Sequence, residues 1–475
     1  MREDWIEIEL GKICSVNMGQ SPPSSTYNKE GDGMPFFQGK AEFTELHPVV
    51  EKWCTAPKKT AKTGDILMSV RAPVGSTNIA NIDCAIGRGL AAITYPFGYR
   101  YLWYFLKLIE RKLDDQGTGT TFKAISGSVL KSQIVPIAPL PEQRAIVAKI
   151  EQLFSELDNG IDNLKAAKDK LEIYRQAVLK KAFEGELTKE WREQNPYSEK
   201  DLVELLEYIE DFNANKSGQD IPRRLPPIDL SDLHGLPYGW FWQESHKICS
   251  SVRDGTHDTP KYVDEGVPLV TSKNLKSGEI DMDNVDLISE SDHEEICRRS
   301  AVDENDILYG MIGTIGNPVI VKETNAFSIK NVGLFKKNER LLVPKYFQYY
   351  LSSWVVEHIM RQKELIRGTT QKFVALGGLR VLPIPLPSKN EQEQVIYEIE
   401  SRLSVCDNIL ANIEEGLEKS EALRQSILKQ AFEGKLLSEE ELEACRKETD
   451  WEPAEQLLER IKNRNKVESK KVSYA

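Results

Sequence analysis

The sequence predicts a mixed α/β (α+β) protein: two similar globular domains, each followed by a long helix, with the two helices pairing as a coiled coil under internal pseudo-two-fold symmetry. Three observations predict it. The chain contains a tandem repeat, part of each repeat is fixed in length and carries a seven-residue apolar period, and strand-like runs are confined to the length-variable remainder.

The repeat is plainest at its ends. Arg175-Gln-Ala-Val-Leu-Lys-Lys-Ala-Phe-Glu-Gly-Glu-Leu187 recurs as Arg424-Gln-Ser-Ile-Leu-Lys-Gln-Ala-Phe-Glu-Gly-Lys-Leu436, 249 positions later. The same offset pairs Glu142-Gln143 with Glu391-Gln392 and Asp158-Asn159 with Asp407-Asn408, without a gap. Upstream the offset drifts. Ile13-Cys14-Ser15 matches Ile248-Cys249-Ser250 at 235, Asp65-Ile66-Leu67 matches Asp306-Ile307-Leu308 at 241, and Tyr101 matches Tyr346 at 245.

Within the length-fixed stretch, Ile150, Leu157, Leu164, Leu171 and Val178 keep a strict seven-residue step, with a second line through Phe154, Ile161, Ala167 and Tyr174. In the other half Ile396, Leu403, Leu410 and Leu417 keep the step, flanked by Ile399, Ile413 and Ile427. Sustained heptads with charged intervening positions predict long helices packed as a coiled coil. Each would span about 65 Å at about 1.5 Å per residue. One inserted residue would rotate everything beyond it by about 100°, off the seam, which explains the fixed length. The alternative is two amphipathic helices in separate cores. Proline-containing segments, Pro136 to Gln143 and Pro383 to Gln392, lead into the helices, and Gly185 and Gly434 stand where a C-terminal cap requires glycine.

The boundaries that follow are a first domain at 1–141 and its helix at 142–187, then an acidic linker with a short helix at 188–235. The second domain is 236–387 and its helix 388–436, with a short helix and tail at 437–475. A weaker repeat, Leu205-Leu206-Glu207 with Ile209 against Leu457-Leu458-Glu459 with Ile461, predicts the short helices. Runs such as Gly64 to Val70, Leu90 to Thr94 and Asp306 to Ile312 read as strands, and Tyr101 to Leu113 and Pro344 to Met360 as one helical pattern in each domain.

Catalytic constellations are missing. There is no phosphate-cradling Gly-rich loop ending in Lys-Ser/Thr, no His-Glu-x-x-His and no nucleophile elbow. Asn195-Pro196-Tyr197 resembles the Asn/Asp-Pro-Pro-Tyr/Phe element of amino-methyltransferases but lacks the second proline and any cofactor loop upstream. Gly310, Gly313 and Gly316 read as tight turning. The seven cysteines are scattered and the six histidines do not cluster, so reduced buried thiols, a cytoplasmic setting and no structural metal are expected. No apolar run approaches a membrane span.

Polar loops recur at equivalent places in both domains. Gly19 to Tyr27, with Ser24, Ser25 and Tyr27, matches Asp254 to Tyr262, with Thr256, His257, Thr259, Lys261 and Tyr262. The pair Gln38 and Lys40 matches Thr271, Ser272, Lys273 and Asn274. The run holding Thr118, Thr120, Thr121 and Lys123 matches Thr369, Thr370, Gln371 and Lys372, and Arg71 follows a strand-like run. Hydroxyls, amides and long cations on glycine-containing loops suit DNA, since Lys and Arg bind guanine edges or phosphate and Asn and Gln bind adenine edges. Any one such loop, taken alone, reads more readily as an ordinary solvated turn. Three at matched places favour a binding surface.

The duplication, the Pro-Leu-Pro-Glu-Gln lead-in, the Ala-Phe-Glu-Gly exits and the Asp-Gly-Thr-His-x-Thr-Pro loop together resemble the specificity subunit of Type I restriction–modification enzymes, over nearly the whole chain. The resemblance implies two target recognition domains, each reading half of a bipartite site in double-stranded DNA. It implies helices that pair antiparallel, set the half-site spacing and dock two modification (methyltransferase) subunits. It further implies no catalysis and no cofactor in this chain, with S-adenosylmethionine, ATP and Mg on the modification and restriction subunits. One departure is the three-residue insertion Ser388-Lys-Asn390 ahead of the second helix. Two other readings stay open: an interaction scaffold without DNA, and a stand-alone enzyme with an unrecognised site.

The net charge of −12 first argues against DNA. Divided by segment, the first domain is +2 and the second −2, while the helices, linker and tail carry the rest. The expectation is a chain that supplies sequence readout and relies on its partners for most of the electrostatic grip.

Overall fold

The computed structural model describes residues 2–119, 123–216, 229, 231, 233–276, 278–322 and 327–462. It is a mixed α/β chain with two domains separated by long helices, Leu140–Phe183 and Lys389–Phe432. The chain divides into two compact units, one of residues 1–165 with 414–475, the other of residues 166–413.

In the first unit, aliphatic and β-branched runs alternate with Gly and Pro and pair into two sheets. Ser15–Met18, Leu90–Thr94, Ile66–Ser69 and Thr77–Ile79 lie in that order, antiparallel. In a second, five-stranded sheet Met34–Phe37 runs parallel to Cys84–Ile86. Ile6–Glu9 pairs with Ile134–Ile137 just ahead of the long helix. The second unit repeats this plan. Val252–Asp254, Val332–Phe335, Ile307–Gly310 and Gly316–Ile320 form one sheet, Val267–Thr271 runs parallel to Ser328–Lys330 in another, and Phe241–Glu244 pairs with Pro383–Leu386.

The predicted helical pattern in each domain is broken in two. Arg100–Leu108 stops at Ile109, whose φ of −95° and ψ of 7° leave the helical well, and Glu110–Asp115 follows. Pro344–Leu351 gives way at Ser352 and Ser353 to Trp354–Gln362. Apolar periodicity survives both breaks, so the sequence pattern alone could not locate them.

The long helices end as their sequence demands. Gly185 and Gly434 take φ of +76° and +74°. In each cap the glycine N–H donates to the carbonyl three residues back and the next N–H to the carbonyl five back, satisfying two orphan acceptors.

Contacts recur as the sequence recurs. In the first unit Phe432 sets its ring edge against Tyr101 and Phe105, and Tyr101 donates to Pro136 O at 2.8 Å. In the second, Phe183 does the same to Tyr346 and Tyr350, and Tyr346 donates to Pro385 O at 2.7 Å. Among the heptad residues, Ile150, Val178, Ile399, Leu403 and Ile427 are buried, while Leu157, Leu164, Leu171, Leu410 and Leu417 are half-buried. Tyr174, expected on the second line, is 47% exposed, because that line drifts off the contact face toward the helix end.

The short segments beyond the helices are docked. Residues 454–462 are helical, with Leu457 and Ile461 inside the first unit's core, where Arg144 reaches Asp450 at 2.8 Å and Lys149 reaches Glu441 at 3.0 Å. In the second unit Glu199–Ala214 buries Ile209, and the Arg340 guanidinium stacks on Tyr208 at 3.8 Å. The described parts of the linker and of the C-terminal segment thus serve as packing elements despite their acidic composition.

Candidate nucleic-acid interface

Each domain gathers its polar loops around one tight turn that links two sheets. In the first domain that turn is Gly87-Arg88-Gly89. Gly19 N donates to Leu90 O at 2.8 Å, Gln20 N to Ile86 O at 3.1 Å, Gly87 N to Phe37 O at 2.8 Å and Val70 N to Gly89 O at 2.9 Å. Ala72 N in turn donates to Lys123 O at 2.9 Å, and Ala124 bridges both Arg71 and Thr118. The loops bearing Gln38, Arg71, Thr118 and Lys123 therefore converge.

In the second domain the corresponding turn is at Asn331, directly after Lys330, the last residue of the strand Ser328–Lys330. Gly255 N donates to Val332 O at 2.9 Å, Thr256 N to Ile329 O at 3.0 Å and Asn331 N to Thr256 O at 3.1 Å. Ser272 Oγ donates to Asn331 O at 3.1 Å and accepts from Met311 N at 3.2 Å. Gly313 N donates to Lys372 O at 3.0 Å, tying in the loop of Thr369, Thr370 and Gln371, all exposed. Gly313 and Gly316 adopt φ of +74° and +108°, as tight turning requires.

The side chains differ in availability. Ser24, Ser25, Lys40, Arg71, Thr118, Thr259, Lys261, Tyr262 and Lys372 are exposed. Tyr27 donates to Pro22 O at 2.8 Å, Lys123 pairs with Asp114 at 2.9 Å, and Lys273 lies 3.5 Å from Asp286. The Asp114 partner holds the Lys123 ammonium above its usual range. His257 is bridged between buried Asp254 at 3.0 Å and Asn331 at 2.9 Å, and Arg299 also pairs with Asp254. Two expected contacts turn inward. Ser272 and Asn274 are buried, and Asn274 caps its own turn by accepting from Thr271 N at 3.0 Å and donating to Asn284 O at 2.9 Å. Their polar atoms are already occupied, so they shape the loop instead of presenting to a ligand. Thr120 and Thr121 lie outside the described residues.

Arg88, Lys330 and Asn331 were not singled out by their residue pattern, although a cation between two glycines was a usable signal. A cleft of about 1280 Å³ in the second unit is lined by Lys372 and Gly313 together with Glu172, Arg175, Lys345 and Asp407, a mixed-charge set without a nucleophile–base pair. Among the described residues no group of His, Cys, Asp and Glu could hold a metal.

Comparison with known proteins gives a consistent result. A family model described as "Type I restriction modification DNA specificity domain" matches residues 2–166 and 260–419. The putative type I restriction enzyme MjaX specificity subunit of Methanocaldococcus jannaschii is 40% identical over 190 residues, 39% of this chain and 44% of that protein. The EcoBI specificity subunit of Escherichia coli is 24% identical over 97% of this chain and 92% of its own. Among solved structures, the HsdS subunit of Thermoanaerobacter tengcongensis is 48% identical over 33% of this chain and 38% of that one, with a TM-score of 0.31. The S subunit from M. genitalium is 15% identical over 90% of this chain and 96% of that one, with a TM-score of 0.33.

Proposed function

The chain belongs to the Type I restriction–modification DNA specificity family, and from that premise we propose that it reads a bipartite, asymmetric site in double-stranded DNA, one domain to each half. The observation that carries this reading is the repeated loop face, with its hydroxyls, amides and unpaired cations held on glycine-tight backbone in both domains. Loops positioned by a rigid sheet are where binding residues concentrate.

In this reading the long helices form an antiparallel coiled coil with pseudo-two-fold symmetry that sets the half-site spacing. Support comes from each unit separately. In the first, Asp158 pairs with Arg424 while Leu164 lies against Gly416, so residue numbers rise on one helix as they fall on the other. In the second, Arg175 pairs with Asp407, the repeat-related partners of Arg424 and Asp158. Reading heads about one helical turn of DNA apart, about 34–36 Å, fall within the reach of helices of this length.

The chain itself is non-catalytic in this reading. Modification subunits, with S-adenosylmethionine, dock on it in the cytoplasm, and restriction subunits add ATP- and Mg-dependent steps. An apolar row at helical spacing, Tyr397, Val405 and Ile409, is 65%, 57% and 41% exposed and suits such docking. Among the described residues no helix is long and apolar enough to cross a membrane.

Co-expression with the cognate modification subunit, followed by genome-wide mapping of methylated adenines, tests the proposal. One bipartite motif with a fixed spacer is the expected result. Methylation without such a motif, or none at all from an assembled complex, overturns it.

A further inference from the structure

We propose that Arg88 and Lys330 are equivalent, specificity-determining contacts, Arg88 to the half-site read by the first domain and Lys330 to the half-site read by the second. The inference rests on the DNA-reading function proposed above and adds residues that the loop pattern did not contain.

Sheet register makes the two residues equivalent. Ile66 pairs with Ile93, and its repeat partner Ile307 pairs with Phe335. Five positions back from each of these partners stands a cation, Arg88 in one domain and Lys330 in the other. The sequence around them does not align by eye, because Gly87-Arg-Gly89 stands against Ile329-Lys-Asn331.

Backbone packing makes the turns rigid. A Cβ on Gly19 would sit 2.2 Å from Gly87 O, and one on Gly89 would sit 2.2 Å from Gln38 O. In the second domain a Cβ on Gly255 would sit 2.2 Å from Ile329 O. These approaches exclude side chains, so Arg88 is the one side chain its turn presents, at the meeting point of the first domain's converging loops. A cation on a pre-ordered turn costs no further backbone ordering on binding, which favours discrimination between bases over adaptable charge contact.

Charge availability completes the argument. Arg88 is exposed, and among the described residues its guanidinium has neither an ion pair nor a hydrogen bond, while its backbone N–H donates to Ser21 Oγ at 3.1 Å. Among the described residues Lys330 Nζ meets only the Thr259 hydroxyl, which leaves its charge uncompensated there. Arg71 and Lys40 are also without partners among the described residues, so the first domain's loop face is locally cationic although the chain is acidic. Arginine and lysine both recognise guanine O6 and N7 in the major groove, and one such contact discriminates by about tenfold or more.

The test uses the full chain assembled with its modification subunits. Arg88→Ala is expected to relax the methylated motif at a position in one half only, Lys330→Ala at a position in the other half only, with the spacer unchanged. Arg88→Gln is expected to alter the base preferred at the position that Arg88→Ala relaxes. Co-purification with the modification subunit checks that each variant folds. An unchanged motif in the Arg88 variants overturns the inference, even if affinity falls evenly across sequences, since that outcome marks phosphate contact. Effects of Arg88→Ala and Lys330→Ala in the same half overturn it as well. If the unaltered complex yields no bipartite motif, the proposed function itself fails, which separates the two failures.

Discussion

Glu391 and Glu142 occupy the same repeat position, and both carboxylates are buried, yet their partners differ. Glu391 accepts from Thr188 Oγ1 at 2.7 Å, Arg192 Nε at 2.9 Å and Tyr197 OH at 2.8 Å. Glu142 accepts from Trp5 Nε1 at 2.8 Å. Removing one member of a buried, hydrogen-bonded ion pair strands the other, at a cost of about 3–5 kcal/mol. Glu391→Ala should therefore lower the unfolding temperature well below that of Glu142→Gln, whose amide oxygen still accepts from Trp5 Nε1. Differential scanning calorimetry of both variants checks the order. The neighbouring Gln143 and Gln392 are also buried, with Gln143 Nε2 donating to Ala138 O and Gln392 Nε2 to Leu341 O, both at 2.8 Å. The Glu-Gln signature was visible in the sequence, but that it seals a helix start inside the core was not. At the same scale, burial pushes the Cys84 and Cys249 thiols up to about 12. Their reactive thiolate is disfavoured at pH 8, so alkylation of the native protein should label the partly exposed Cys297 before either of them, as peptide mapping would read.

The long helices carry two interior glycines with different surroundings. A Cβ on Gly160 would meet nothing within 4 Å, whereas one on Gly416 would sit 3.3 Å from Leu164 Cδ1. Gly160→Ala should stabilise the protein by up to about 1 kcal/mol through backbone entropy, and Gly416→Ala should gain less because Leu164 must yield. Thermal unfolding of the two variants decides it. The sequence shows both glycines and cannot tell them apart, since what differs is the neighbour across the helix contact. A four-residue insertion beside Leu164 rotates the downstream face by about 40° beyond one full turn and lengthens the helix by about 6 Å. We expect it to change the spacer of the methylated motif or to abolish assembly. A new half-site word with an unchanged spacer would contradict the ruler role.

For the molecule as a whole, charge argues against strong DNA binding by the isolated chain. The net charge is −12, and the two domains carry only +2 and −2. Phosphate contacts supply most non-specific affinity, and their number sets the salt slope. In titrations at matched ionic strength the isolated chain should bind its site far more weakly than the assembled complex, with a shallower dependence on salt. Under the proposed function, the exposed row of Tyr397, Val405 and Ile409 is a docking face for the modification subunit. Val405→Asp should reduce co-purification of the modification subunit while leaving the unfolding temperature of the chain nearly unchanged, because the side chain is already solvated.

By itself the sequence determined the duplication, the helix lengths and ends, the mixed α/β class of the two domains and the loops rich in DNA-compatible groups. These are local or periodic properties, written in runs of neighbouring residues and in a constant offset. Only the tertiary structure decided which of those loops meet, that Ser272 and Asn274 point inward, and that the described parts of the acidic linker and C-terminal segment pack as structural elements. It also brought Arg88 and Lys330 to the centre of their loop faces. The reason is physical: convergence at one turn depends on strand register between segments far apart in the chain, and on backbone approaches as close as that of Gly19 to Gly87, which no local pattern encodes.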